Sequence, residues 1–174
     1  MTRLFHVSED PKIEIFTPRA PLTPKAGVTG DAVWAIDHDH LPHYLLPRQC
    51  PRVTLRRGPA TSVEDAKRFF ADGVEKLIAI EMQWYERVRS ARLFVYELPA
   101  ATFSSLDSVA GYYISRAAVR PLSVKEEVNV IERIAAEGYK LRFLPNLWPL
   151  QESVVASTVQ YSIIRMRNAQ AKVK

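Results

Sequence analysis

Between residues 37 and 43 the chain reads Asp-His-Asp-His-Leu-Pro-His, which gathers three of its four histidines and two carboxylates into seven residues. Imidazole and carboxylate groups suit zinc or another divalent ion. The stretch reads as a loop after a strand, where His38, Asp39 and His40 do not all point one way, and metal sites normally draw ligands from more than one element. Two readings stay open: a metal-dependent hydrolase built on the His38–His43 loop, or a solvated loop with one ordered histidine. Sequence alone assigns no metal ligands. The remaining histidine, His6, stands mid-strand between Phe5 and Val7, a place for a satisfied core group or for a cleft residue. Cys50 lies between Arg48 and Arg52, and positive neighbours lower a thiol's pKa, as a nucleophile requires. No base partner can be assigned to it, and Gln49 and Pro51 fit a structural turn equally well. Glycine-rich phosphate loops, H-E-x-x-H and G-x-S-x-G are all absent.

The remaining candidates are cations. Arg48, Arg52, Arg56 and Arg57 fall within ten residues, in and after the proline-bounded run 47–52, and Arg165, Arg167, Lys172 and Lys174 form a second basic group near the C-terminus. The guanidinium fork matches phosphate oxygens in pairs, so an arginine cluster in a rigid loop fits a small phosphate-bearing ligand. Neither cluster carries the aromatic core of an RNA-recognition strand or the Cys/His spacing of a zinc finger. Nucleic acid is therefore the less favoured partner, and a solvated face is the bland alternative.

The elements that must position these groups follow from pattern. Residues 4–8, 33–36, 52–56, 75–80, 93–98, 111–115 and 139–144 read as strands, with Arg52–Arg56 alternating so that one face is buried and one wet. Prolines 18, 21 and 24 mark an extended surface segment. Ser62 caps a helix that runs toward Gly73, and residues 82–91 form a helix with Trp84, Tyr85 and Val88 on its apolar side. Ser123 with Glu126 has the spacing of a capping box, and Val124, Val128, Ile131 and Ile134 continue a helix to Gly138. A last helix runs from about Gln151 to Ala169 with Val155, Val159, Ile163 and Met166 on one stripe. The class is α+β, a mixed or split antiparallel sheet with flanking helices. No repeat or linker divides the chain, so 1–174 is read as a single domain.

Composition bounds the rest. With 174 residues, 47% hydrophobic and 25% charged, the chain is neither disordered nor low-complexity and can fold without a disulfide or metal staple. Its net charge of +5 is weak unless concentrated on one face. The single cysteine and the lack of an apolar signal core or membrane span point to the cytoplasm, with no membrane partner.

Taken together, Leu4-Phe5-His6-Val7-Ser8-Glu9-Asp10, Phe16-Thr17-Pro18-Arg19, Val33-Trp34-Ala35-Ile36 and Tyr44 with Pro47-Arg48-Gln49-Cys50-Pro51-Arg52 resemble a family of bacterial proteins of about this length with no established activity. The likeness continues through Leu147-Trp148-Pro149-Leu150 and residues 162–169. More distantly, Phe5-His6, Trp34 and Val95-Tyr96-Glu97-Leu98-Pro99 are similar to motifs of the ADP-ribosyltransferase superfamily, in particular its rifamycin-modifying branch, which usually has Tyr where Trp34 stands. The resemblance implies NAD as cofactor. His6 would bond ribose hydroxyls, Trp34 would wall the nicotinamide pocket, and Glu97 or Glu81 would stabilise a cationic transition state. Arg19, Arg48 or Arg52 would hold the pyrophosphate, so the expected partner is an anionic small molecule in a cleft that includes Tyr44. The rival from another class is a non-enzymatic module that uses a basic C-terminal helix to contact nucleic acid or protein.

Overall fold

The computed structural model describes residues 2–21 and 28–172, which form ten strands. They run β1 (Leu4–Ser8), β2 (Val33–Asp37), β3 (Arg52–Arg56), β4 (Lys76–Glu81), β5 (Leu93–Leu98), β6 (Phe103–Asp107), β7 (Tyr112–Ser115), β8 (Ser123–Glu127), β9 (Lys140–Leu144) and β10 (Gln160–Ile164). The α-helices are α1 (Val63–Phe69), α2 (Tyr85–Arg89), α3 (Val130–Ala136) and α4 (Trp148–Val155). The class is α+β. Pro24 and Lys174 lie outside the described residues. No described helix is long and apolar enough to cross a membrane.

The strands sort into two sheets that belong to two compact units, each assembled from two stretches of chain. The first unit comprises Met1–Tyr44 and Arg92–Val128. Its six strands take the order β6-β7-β2-β1-β5-β8 and every pairing is antiparallel. Side chains alternate across a strand, so the pairing of Leu4 with Leu98 and of His6 with Tyr96 puts these four on one face. Leu4, Tyr96 and Leu98 join Val33, Ala35, Phe16 and Val119 in a buried cluster. The Tyr96 hydroxyl donates to the Asp10 carbonyl at 2.7 Å and accepts from the Ile13 amide at 3.1 Å, which ties the Pro11 segment back onto this core.

The second unit comprises Leu45–Ala91 and Asn129–Lys174. Its sheet has the order β10-β3-β4-β9, antiparallel except for the parallel pair of β4 with β9. Val53, Leu55, Leu77 and Ala79 face Phe70, Leu147 and Val154 in a dry core. On the other face of β4, Ile78 and Ile80 are also fully buried, as expected for a central strand covered on both sides. Ser62 caps α1 by accepting from the Asp65 amide at 3.1 Å, as expected of a serine at the start of a helix.

Four expectations from pattern are corrected. The helix read from Ser123 to Gly138 is a strand followed by a shorter helix: β8 pairs with β5, and only Val130 and Ile134 turn inward while Val124 and Val128 stay exposed. The helix read from Gln151 to Ala169 ends at Val155. Thr158 donates its amide and its hydroxyl to Asp65 at 2.8 and 2.6 Å, which stops the helix, and β10 then completes the sheet against β3. The basic C-terminal helix is therefore absent; Arg165 has a left-handed backbone (φ 58°), and Arg167 sits in a single 3-10 turn. Residues 82–91 form a 3-10 turn and the short α2, with Tyr85 exposed. Finally, β3 has no wet face, since residues 52–55 are all buried.

Candidate functional site

In the first unit the histidine-rich stretch is a 3-10 helix, His38–Tyr44, launched from the end of β2. Asp37 explains the launch. Its Oδ1 accepts from the His40 amide at 3.0 Å and from His40 Nδ1 at 2.7 Å, so a carboxylate that can only accept places the ring proton on Nδ1. The Asp37 amide in turn donates to the Gly111 carbonyl at 3.0 Å. Gly111 has φ +69°, and a Cβ there would come within 2.3 Å of His40 Nδ1, so only glycine fits beside this pair. His40 and His43 are buried with rings 5.4 Å apart, whereas the His38 ring packs near Phe5 at 5.9 Å. Among the described residues no group of three or more His, Cys, Asp or Glu side chains is placed to hold a metal ion.

His6 and Trp34 meet, though not as two walls of one pocket. His6 Nδ1 donates to the Trp34 carbonyl at 2.9 Å, and the imidazole ring lies 4.8 Å from Phe16, which belongs to the buried cluster. Alternation along β2 sends the Trp34 ring to the face opposite Val33 and Ala35. There it meets Tyr112 edge-on at 5.9 Å, and the Tyr44 hydroxyl donates to that of Tyr112 at 2.6 Å. All three rings are half-buried. The Trp34 indole Nε1 is shielded from solvent and has no hydrogen-bond partner among the described residues.

Glu97 lies opposite Phe5 across the β1–β5 pair. Arg3 grips both of its oxygens, at 2.8 and 2.9 Å, while the guanidinium carbon stands 5.1 Å from the Phe5 ring centroid. The two hydrogen bonds from Arg3 hold the Glu97 carboxyl below its usual range, so it is ionised at neutral pH. Arg19 is exposed, and its backbone bridges to Ala32 at 3.1 and 3.0 Å.

The other arginines and Glu81 belong to the second unit. Pro47–Cys50 forms a turn closed by the Cys50 amide on the Pro47 carbonyl at 2.9 Å, with Arg48 exposed at its tip. Arg52 is only 3% exposed; its Nη1 donates to the Cys50 and Pro47 carbonyls at 2.8 and 3.3 Å, so it braces the turn. Cys50 is fully buried, and burial pushes its thiol up to about 12 despite the charges of Arg52 and Arg87. That is the reverse of what a nucleophilic cysteine needs. Glu81 is fully buried too, accepting from Gln83 Nε2 at 2.7 Å and from the Gln170 amide at 3.1 Å on each oxygen. It anchors the chain just beyond the 3-10 turn Met166–Asn168.

Of the residues chosen from sequence, then, His6, Trp34, Tyr44, Glu97 and Arg19 fall in the first unit and Arg48, Arg52 and Glu81 in the second. Within the first, His6 and Trp34 are joined directly, and Tyr44 reaches Trp34 through Tyr112. Tyr112, Gly111 and Arg3 were not chosen. Gly111-Tyr112 carries a turn-then-strand signal, but its approach to Trp34 and His40 depends on the pairing of β7 with β2, which is not local in sequence.

No curated protein and no solved structure matches the chain. The likeness seen in the opening motifs, in Val33-Trp34-Ala35-Ile36 and in residues 162–169 does have a counterpart at the level of families: a family model covers residues 5–169, and the chain belongs to the family of unknown function DUF6886.

Proposed function

We propose that the first unit binds a nucleotide-like ligand, of the NAD or ADP-ribose kind, with a planar ring against Trp34, Tyr112 and Tyr44. The supporting observation is the Trp34 indole N–H. A buried donor without an acceptor costs about 1–3 kcal/mol, and here it sits on a half-buried aromatic wall rather than deep in the core. With a small turn of the Trp34 ring out of its shielded position, a carbonyl or hydroxyl oxygen of a bound ligand would supply that acceptor, while the rings supply the apolar contact that base-like groups use. His6 supports the wall from behind by fixing the Trp34 carbonyl. Glu97, held ionised by Arg3, provides a carboxylate of the kind that would stabilise a developing cation on a ribose carbon, which is the step an ADP-ribosyltransferase-like activity would need. Arg19 is an exposed cation in the same unit for a phosphate.

The test is thermal stabilisation by NAD, ADP-ribose and nicotinamide, each compared in the parent chain and in His6→Ala and Trp34→Phe. Stabilisation of about 2.7 kcal/mol is expected at a hundredfold excess over the dissociation constant, and both substitutions should reduce it. Absence of any shift with all three compounds, or an undiminished shift in Trp34→Phe, would overturn the reading. Incubation with NAD followed by detection of released nicotinamide then separates binding from transfer.

A further inference from the structure

The outer edge of the first sheet is unusual. At β8 the backbone pairs with β5 on one side only, and three large apolar side chains stand in the open there: Leu122 at 66%, Val124 at 49% and Val128 at 47% exposure. Edge strands are ordinarily protected by brevity, proline or repeated lysine, because their unpaired amides and carbonyls template association. Here the strand reads Ser-Val-Lys-Glu-Glu, one lysine followed by two glutamates, with valines at 124 and 128.

That order is self-complementary. A two-fold axis normal to the sheet preserves which face each side chain occupies, so it must pass through a residue and pair positions of equal parity. With the axis at Glu126, Val124 faces Val128 of the second copy and Lys125 faces Glu127, each twice. Glu126 would face its own copy, but its charge is already met within the chain by Arg92 at 2.6 Å. Shifting the axis to Lys125 keeps Val128 on Leu122 but sets lysine against lysine and Val124 against Glu126, so charge matching selects the first register. Lys125 is well exposed and reaches Glu127 of its own strand only at 3.6 Å, which leaves the ammonium able to share a carboxylate across the axis.

We propose that two copies of this chain associate through β8, edge to edge and antiparallel about Glu126, to continue the six-stranded sheet from one molecule into the next. The contact places Val124 and Val128 of both copies in a single apolar row and forms two Lys125–Glu127 pairs between copies.

Sedimentation equilibrium on the full chain tests this, with charge reversals as probes. Lys125→Glu and Glu127→Lys each set like charges opposite one another twice, so each variant alone should dimerise about tenfold or more weakly. Mixed together they should form a heterodimer of near-parental affinity, because each glutamate then meets a lysine. Val124→Arg, at an exposed position, should also dissociate the dimer and guards against a folding defect at the half-buried Glu127; circular dichroism confirms that each variant is folded. A parent chain that remains monomeric over the accessible concentration range, a dimer indifferent to all three changes, or a mixture that fails to recover would each overturn the proposal.

Discussion

In the second unit Arg52 and Glu81 are almost fully buried and bond inside the chain, Arg52 through Nη1 to the carbonyls of the Pro47–Cys50 turn and Glu81 with Gln83 and the Gln170 amide. In the first unit Trp34 lies half-buried with its indole N–H unmet by any described residue, and Glu97 holds its charge beside an exposed arginine. Read from sequence, Arg52 and Glu81 are candidates for chemistry just as Trp34 and Glu97 are. Burial and partners separate them: a polar group whose bonds are made inside the chain is a brace, and one left unmet at a half-buried aromatic surface is a candidate for a ligand.

The contrast can be broken most forcefully at Gly111, in the first unit. Gly111→Ala combines a left-handed backbone with a Cβ 2.3 Å from His40 Nδ1 and 2.8 Å from Asp37 Oδ1, and should cost about 3–4 kcal/mol in urea unfolding. A loss below about 1 kcal/mol would mean the Asp37–His40 pair is not held as described. Next is Arg52→Ala, which removes the guanidinium from the Cys50 carbonyl and leaves Pro47 with the Cys50 amide alone, and should cost about 2–3 kcal/mol while leaving ligand stabilisation of the first unit intact. If it instead abolished ligand binding with little change in stability, the brace reading would be wrong.

Cys50 gives a pH signature. Its folded pKa is raised from 9.0 to about 12, so above pH 9 the unfolded chain releases this proton and the folded chain keeps it. Stability contributed by the buried thiol is complete below pH 9 and falls as pH rises toward 12. The parent should therefore lose stability over that interval more steeply than Cys50→Ala, and a thiol reagent at pH 8 should react only after unfolding; equal slopes or rapid labelling would contradict burial. Trp34→Phe should change stability by less than about 1 kcal/mol, and in the favourable direction, because it removes an unmet donor. The smallest effect belongs to Glu97. Its pKa is lowered by Arg3, so its contribution is present above the ordinary 4.5 and lost as pH falls through the lowered value. The pair is exposed, so Glu97→Gln should flatten the acid limb only slightly.

These differences also explain which parts of the molecule were legible in sequence. Strands with their own aromatic or branched pattern, such as Leu93–Leu98 and Val33–Asp37, are recognisable without knowing their neighbours. Helical spacing misled at Val124 and Val128 because valines three to four residues apart also occur by chance in a strand, and what makes β8 a strand is β5, far away in sequence. The C-terminal stripe failed for the same reason: Asp65 captures Thr158 across 93 residues and ends the helix. In the site, the His6–Trp34 link follows from adjacent strands β1 and β2, whereas Tyr112 and Arg3 are brought in by pairings that no local motif encodes. The arginine run around Cys50 was legible as a rigid turn, but the inward direction of Arg52 was not, since alternation in β3 predicts a wet face that the sheet's second cover removes.

The most direct test is calorimetric titration of ADP-ribose into the parent chain and into Trp34→Phe, both shown beforehand to be folded and of comparable stability. One saturable binding event is expected for the parent, weakened about tenfold or more when the indole N–H is removed, as for loss of a ligand hydrogen bond worth about 1.4 kcal/mol. No heat of binding to the parent, or equal affinity in the two proteins, would contradict the assignment of Trp34 to a ligand.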